Sequence, residues 1–204
     1  MQNFNMKKIL VWGGVILVFC ILFYGYNSNN KLTLSKDTNT SDYSEQTNNL
    51  YKNTKYNFSV TFPDNWKRDN GETVNTVQRA ISGSSTINIM VQQLNLSKPE
   101  QILSIKDLIS PEEFFNSPLV EGIKKQVSDI KNIKYGELKI NDEPAYWVEY
   151  YFDSQLLDYK MTQMMYFFLK GNNLYTIGLD TATSEYETIK PLFNQVVNTF
   201  VFKK

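Results

Sequence analysis

Three features of this sequence predict an α+β fold, a three-layer α/β/α sandwich with a central antiparallel sheet, preceded by one N-terminal transmembrane helix. Beyond residue 55, several segments alternate large apolar and small polar residues with the period of a strand. Two further segments repeat apolar residues at helical spacing. The N-terminus carries an uncharged, predominantly apolar run of 18 residues, Ile9–Tyr26.

The apolar run comes first in the chain. As a helix it would be about 27 Å long, enough to cross a hydrocarbon core. Lys7 and Lys8 stand directly before it and the next lysine after it is Lys31, so the positive-inside bias places the N-terminus in the cytoplasm. Tyr24-Gly25-Tyr26 offers no small-residue cleavage site, and Phe19 before Cys20 does not suit a lipoprotein signal. An uncleaved single-pass anchor over residues 9–26 follows, with residues 1–8 cytoplasmic and the rest extracytoplasmic. From residue 27 to 54 the composition changes: Asn, Ser and Thr fill 16 of 28 positions. Large apolar residues are too few there to offset the entropy of ordering, so a disordered linker is expected over 27–54 and a folded domain over 55–204.

The domain opens on the sequence YNFSVTFPDNW, residues 56–66. Tyr56, Phe58, Val60 and Phe62 share one face of a strand. Pro63 cannot donate to a ladder and ends it, Asp64-Asn65 supply turn chemistry, and Trp66 is placed to cover the core. Phe58, Phe62, Pro63 and Trp66 are therefore read as a structural staple rather than a sugar-stacking or peptide-binding site. Strands follow at 76–82 and 86–94, joined through Gly83-Ser84-Ser85.

Helical spacing takes over after Pro99. Ser110-Pro111-Glu112-Glu113 has the form of a capping box with Pro at the first helical position. The adjacent carboxylates suit the first turn of a helix better than a catalytic pair. Val120, Ile123, Val127 and Ile130 then repeat on one side of a second helix. Between the two helix starts, Phe114 and Phe115 are either core residues of a short helix or a contact surface for a partner.

From Ile133 the period returns to two. Strands are predicted at 133–140, 145–152, 159–169 and 174–179, with Asn141–Pro144 and Gly171–Asn173 as hairpin turns. The segments around Tyr146–Phe152 and Met164–Leu169 are apolar on both faces, which requires a sheet covered on both sides. The helix over 120–130 and a last one over 184–199, with Pro191 inside it, supply the covers.

Composition excludes several functions. Hydrophobic residues make up 42% and charged residues 21%, which suits a packed core. Lys and Arg balance Asp and Glu at 21 each, so nothing marks a nucleic-acid partner. There is no histidine, and the only cysteine, Cys20, lies in the apolar run, so catalytic, cofactor-binding and metal-binding residues are all assigned as none. The remaining enzymatic option is a carboxylate pair, Asp153 and Asp158, flanking a turn.

The opening stretch, the turn-strand KINDEPAY at 139–146, and the ending from Leu174-Tyr175-Thr176-Ile177 through Phe193 to Asn198-Thr199-Phe200-Val201-Phe202 together resemble the PsbP-like superfamily. The chain is similar to its membrane-anchored bacterial envelope members. The resemblance implies an α/β/α sandwich and a non-catalytic, protein-binding scaffold, and supplies no catalytic residue. Three functions remain open at this point. One is a tethered binding or assembly module acting on another membrane or envelope protein. The second is a domain that binds an envelope polymer or small ligand. The third is a carboxylate-dependent hydrolase.

Overall fold

The computed structural model describes residues 44–47, 49–71, 75–94, 96, 102–116, 130–153 and 159–203. The expected anchor at 9–26 and the expected helix over 120–129 lie outside the described residues. Among those described, no helix is long and apolar enough to cross a membrane.

Eleven strands and three helices are described: β1 (Ser44–Thr47), β2 (Leu50–Asn53), β3 (Phe58–Thr61), β4 (Lys67–Asp69), β5 (Thr76–Ser82), β6 (Ser85–Gln93), α1 (Ile105–Leu108), α2 (Pro111–Phe115), β7 (Lys131–Ile140), β8 (Glu143–Asp153), β9 (Lys160–Lys170), β10 (Asn173–Ala182), α3 (Tyr186–Thr199) and β11 (Val201–Phe202). Seven of the strands form one antiparallel sheet in the order β4-β5-β6-β10-β9-β8-β7. The hairpins have the predicted turn chemistry. Gly83 (φ 56°), Asn141 and Asp142 (φ 47° and 70°) and Gly171 (φ 59°) occupy the left-handed region that tight hairpin turns require.

The residues of the opening stretch do not join that sheet. β3 pairs with β2 on one side and β11 on the other, in a second antiparallel sheet ordered β1-β2-β3-β11. Two expectations change as a result. The strand begins at Phe58 rather than Tyr56, because Asn57 turns the chain at φ 54°. The expected linker loses its last residues, since 44–47 and 50–53 are strands. Polar composition misled there because Tyr51 and Asn53 are both buried. The Tyr51 hydroxyl donates to the Val77 carbonyl at 2.9 Å, and Asn53 Nδ2 donates to that hydroxyl at 2.8 Å. A strand with two inward side chains that satisfy each other needs little apolar sequence.

Both faces of the large sheet are buried, as strands apolar on both sides require. Among the described residues, the covers include more than the expected last helix. One face carries Ile87, Ile89, Phe168, Tyr175, Ile177 and Leu179 against Phe58, Val60, Phe62, Phe193, Val196 and Phe200. Its cover is therefore α3 together with the small sheet. Phe58 stacks on Phe200 with ring centroids 4.7 Å apart, and Phe168 stacks on Tyr175 at 5.4 Å. On the opposite face, Tyr146, Val148, Phe167 and Leu169 pack against Ile105, Phe114 and Phe115 of α1 and α2.

The capping box at α2 is complete. Ser110 Oγ accepts from the Glu113 amide at 3.2 Å, and Glu113 Oε2 accepts from the Ser110 amide at 3.1 Å. The bonds from the Ser110 side chain and backbone hold the Glu113 carboxyl below its ordinary pKa.

Candidate functional site

Phe58 and Phe62 are fully buried and Pro63 follows them half-buried, so the start of the staple is a core element. Trp66 packs against the same core but is only half-buried, because the chain turns at Asn65 (φ 64°) and lays the indole across the rim. Phe114 and Phe115 are 6% and 8% exposed. They pack against Tyr146 and against each other, with Phe114 also on Phe167. Among the described residues, the apolar side chains that face solvent nearby are Leu103, before α1, and Tyr135 on β7, whose ring stacks on Phe115 at 4.0 Å. Asp158 lies outside the described residues. Asp153 faces Lys131, 3.9 Å away, and pairs across the sheet with Lys160.

Composition gave no sign of the buried charge in this domain. Glu149 on β8 points to the α3 side and is almost fully buried. Its carboxylate accepts from the Tyr186 hydroxyl and from Lys190 Nζ at 2.9 Å, both on α3, and pairs with Lys134 Nζ on β7 at 3.5 Å. The Tyr151 hydroxyl also donates to it, at 3.4 Å. Burial opposes ionisation, but the bonds from Tyr186 and Lys190 and the charges of both lysines outweigh it, so the Glu149 pKa lies below the ordinary value. The same contact pushes the Tyr186 hydroxyl far up, burial being the larger cause. A carboxylate held ionised between two lysines ties helix to sheet; it is not poised to exchange a proton near neutral pH.

On the other face, Asp180 of β10 accepts from Gln163 Nε2 and, at 3.3 Å, from Asn88 Nδ2, while Gln163 Oε1 accepts from the Tyr150 hydroxyl. Burial raises the Asp180 pKa to about 6, partly offset by those two amides. Nearby on β6 and β10, Asn88 Oδ1, Gln92 Oε1 and Thr176 Oγ1 are buried without a partner.

At the end of the sheet where β7, β8 and β9 lie side by side is a recess of about 220 Å³. Lys131, Asn132, Tyr151, Asp153, Lys160 and Thr183 line it, with Phe152. Tyr151 forms the link from this recess to Glu149. Among the described residues, no group of three or more His, Cys, Asp and Glu is arranged to hold a metal ion.

A family model described as PsbP matches residues 46–202. The chain belongs to the PsbP family. Its boundary agrees with the strands β1 and β2 rather than with a domain beginning at residue 55. The solution structure of cyanobacterial PsbP (CyanoP) from Synechocystis sp. PCC 6803 is similar with a TM-score of 0.54 at 15% identity, covering 84% of this chain and 99% of that one. LpqN of Mycobacterium tuberculosis, described as involved in cell envelope biogenesis, is similar with a TM-score of 0.51 at 10% identity, covering 72% and 83% of the two chains. A structure from Bacteroides thetaiotaomicron VPI-5482 has a TM-score of 0.50 at 12% identity over 76% of this chain and 48% of its own. No curated protein matches the chain in sequence. At these identities the likeness is one of fold.

Proposed function

We propose that this PsbP-family chain is a non-catalytic binding or assembly module, held outside the cytoplasmic membrane by a helix over residues 9–26, and that it acts on another envelope protein. The observation that supports this most is the use made of its paired charges. Glu149 ties α3 and β7 to β8, and Asp69 takes a two-point bond from Arg79, at 2.7 Å on each oxygen, that ties β4 to β5. Each such group holds one element to another, which leaves recognition to the surface. LpqN, a protein of this fold described as involved in cell envelope biogenesis, is a precedent for work in that compartment.

With the first described strand at residue 44, the proposed linker is shortened to 27–43. Treated as a flexible coil of 17 residues, its root-mean-square span is about 21–25 Å. The module would then act on a partner in or close to the membrane, where tethering raises effective concentration and weak affinity suffices. The test places a photo-crosslinker at Tyr135 or Leu103 of the full chain in intact envelopes. Crosslinks to a discrete envelope protein are expected, and external protease should remove the domain from protoplasts. A domain fully shielded from external protease would overturn the topology, and with it this function. Replacing 27–43 by a Gly/Ser linker of equal length should leave the crosslinks intact.

A further inference from the structure

The recess beside Tyr151 lies among more positive charge than its own carboxylates neutralise. Lys131 and Lys160 line it and share one acid, Asp153, whose distance from Lys131 is 3.9 Å. Lys160 lies across the β8–β9 ladder from Asp153, and its ammonium has no partner among the described residues. Immediately behind, Lys134 and Lys190 share the single carboxylate of Glu149, and the Tyr151 hydroxyl joins the two groups. Among the described residues, four lysines thus face two carboxylates within one corner of the sheet. Asp158 lies outside the described residues, and Glu185, two residues after Thr183, turns away to accept from Ser84 Oγ at 2.6 Å and Ser85 Oγ at 3.5 Å.

The recess also presents neutral donors. Thr183 Oγ1 accepts from Thr162 Oγ1 at 3.0 Å, which leaves the Thr183 hydroxyl proton free to donate outward. Asn132, held at φ 52°, lines the same space. Two lining lysines against one lining carboxylate, with the Lys134–Glu149–Lys190 group behind and hydroxyl and amide donors around about 220 Å³, match a compact oxyanion of charge −1 to −2. We propose that this recess binds a phosphate group, with Lys131 and Lys160 as its charged donors and Thr183 and Asn132 as neutral ones. The phosphate arrives either as a free small anion or on the headgroup of an acidic lipid.

The test measures how fast Lys131, Lys160 and Lys203 of the full chain are acetylated, read by peptide mass spectrometry. Lys203 follows β11, whose partner β3 belongs to the other sheet, and serves as the reference. In neutral detergent, inorganic phosphate is compared with chloride at equal ionic strength. A second arm compares the chain in phosphatidylglycerol and phosphatidylcholine nanodiscs; this arm alone rests on the membrane anchoring proposed above. Lys131 and Lys160 are expected to slow at least about threefold relative to Lys203, and Lys160→Met should abolish the slowing at Lys131. Slowing by inorganic phosphate identifies a free anion, and slowing only in phosphatidylglycerol discs identifies a headgroup. Equal slowing at all three lysines, or no slowing in either arm, overturns the site. Because the detergent arm requires no membrane, it tests the recess separately from the tethered function.

Discussion

Replacing Glu149 by Gln isolates the one deeply buried carboxylate found among the described residues on the α3 side of the sheet. The substitution keeps the size of the side chain and an acceptor oxygen for the Tyr186 hydroxyl, but removes the charge that faces Lys134 and Lys190. The Lys134 and Lys190 side chains are 60% and 34% exposed, so each can turn to water when the charge is gone. Each lost pair should therefore cost roughly 0.2–1 kcal/mol, the range for solvent-screened bridges. Weakening the Tyr186 bond from a charged to a neutral acceptor adds about 1 kcal/mol. The expected loss at pH 7 is about 1.5–3 kcal/mol, read as the difference in urea unfolding between the wild-type and Glu149→Gln forms of residues 44–204. The pH dependence supplies a second constraint. Glu149 ionises more easily folded than unfolded, so its contribution is complete above its unfolded pKa, near 4.5, and is lost as pH falls through the lower folded value. The gap between the two proteins should narrow steadily as pH falls below about 4.5. A gap under about 0.5 kcal/mol at pH 7, or one unchanged down to pH 3, would refute the view that this carboxylate is held ionised by its partners.

A fragment beginning at residue 55 should be less stable than one beginning at 44 by at least about 3 kcal/mol in urea, because it lacks the buried Tyr51 and Asn53 and exposes β3 as an edge. Trp66→Ala should cost about 1.5–3 kcal/mol in the same assay, less than a fully buried tryptophan because the indole lies half-buried on the rim; no loss at all would return it to the surface as a binding residue. Asp180 binds its proton more tightly folded, up to a pKa of about 6, so its contribution is complete below its unfolded value of 3.8 and is lost as pH rises through about 6. Asp180→Asn should therefore remove about 2 kcal/mol of the wild-type decline in stability between pH 4.5 and 7.5. The unpartnered Asn88 Oδ1 can serve the new amide after a side-chain flip. An unchanged pH profile would show that Asp180 is solvated.

Features that depend on a few neighbouring residues were legible in the chain. The capping box at Ser110 and Glu113, the left-handed hairpin positions at Asn141 and Gly171, and the inward set Phe58, Val60 and Phe62 all follow from local backbone chemistry and the two-residue period of a strand. Double-sided burial of β8 and β9 followed in the same way from their composition. Which layer covers which face did not. β3 carries the pattern of any half-buried strand, and its partners are β2 and the last strand, β11, some 140 residues away. Pairing at that separation leaves no mark on local periodicity. For the same reason Leu50–Asn53 passed for linker. Its stability comes from a ladder to β3 and from one Asn–Tyr–carbonyl chain, and composition registers neither. In the sequence Glu149 is one polar residue among aromatics, and Lys131, Lys160 and Thr183 stand well apart. They become a charged network and a recess only where β7, β8, β9 and the start of α3 converge, because electrostatic fields and cavities depend on distance in space, whereas a sequence records only distance along the chain.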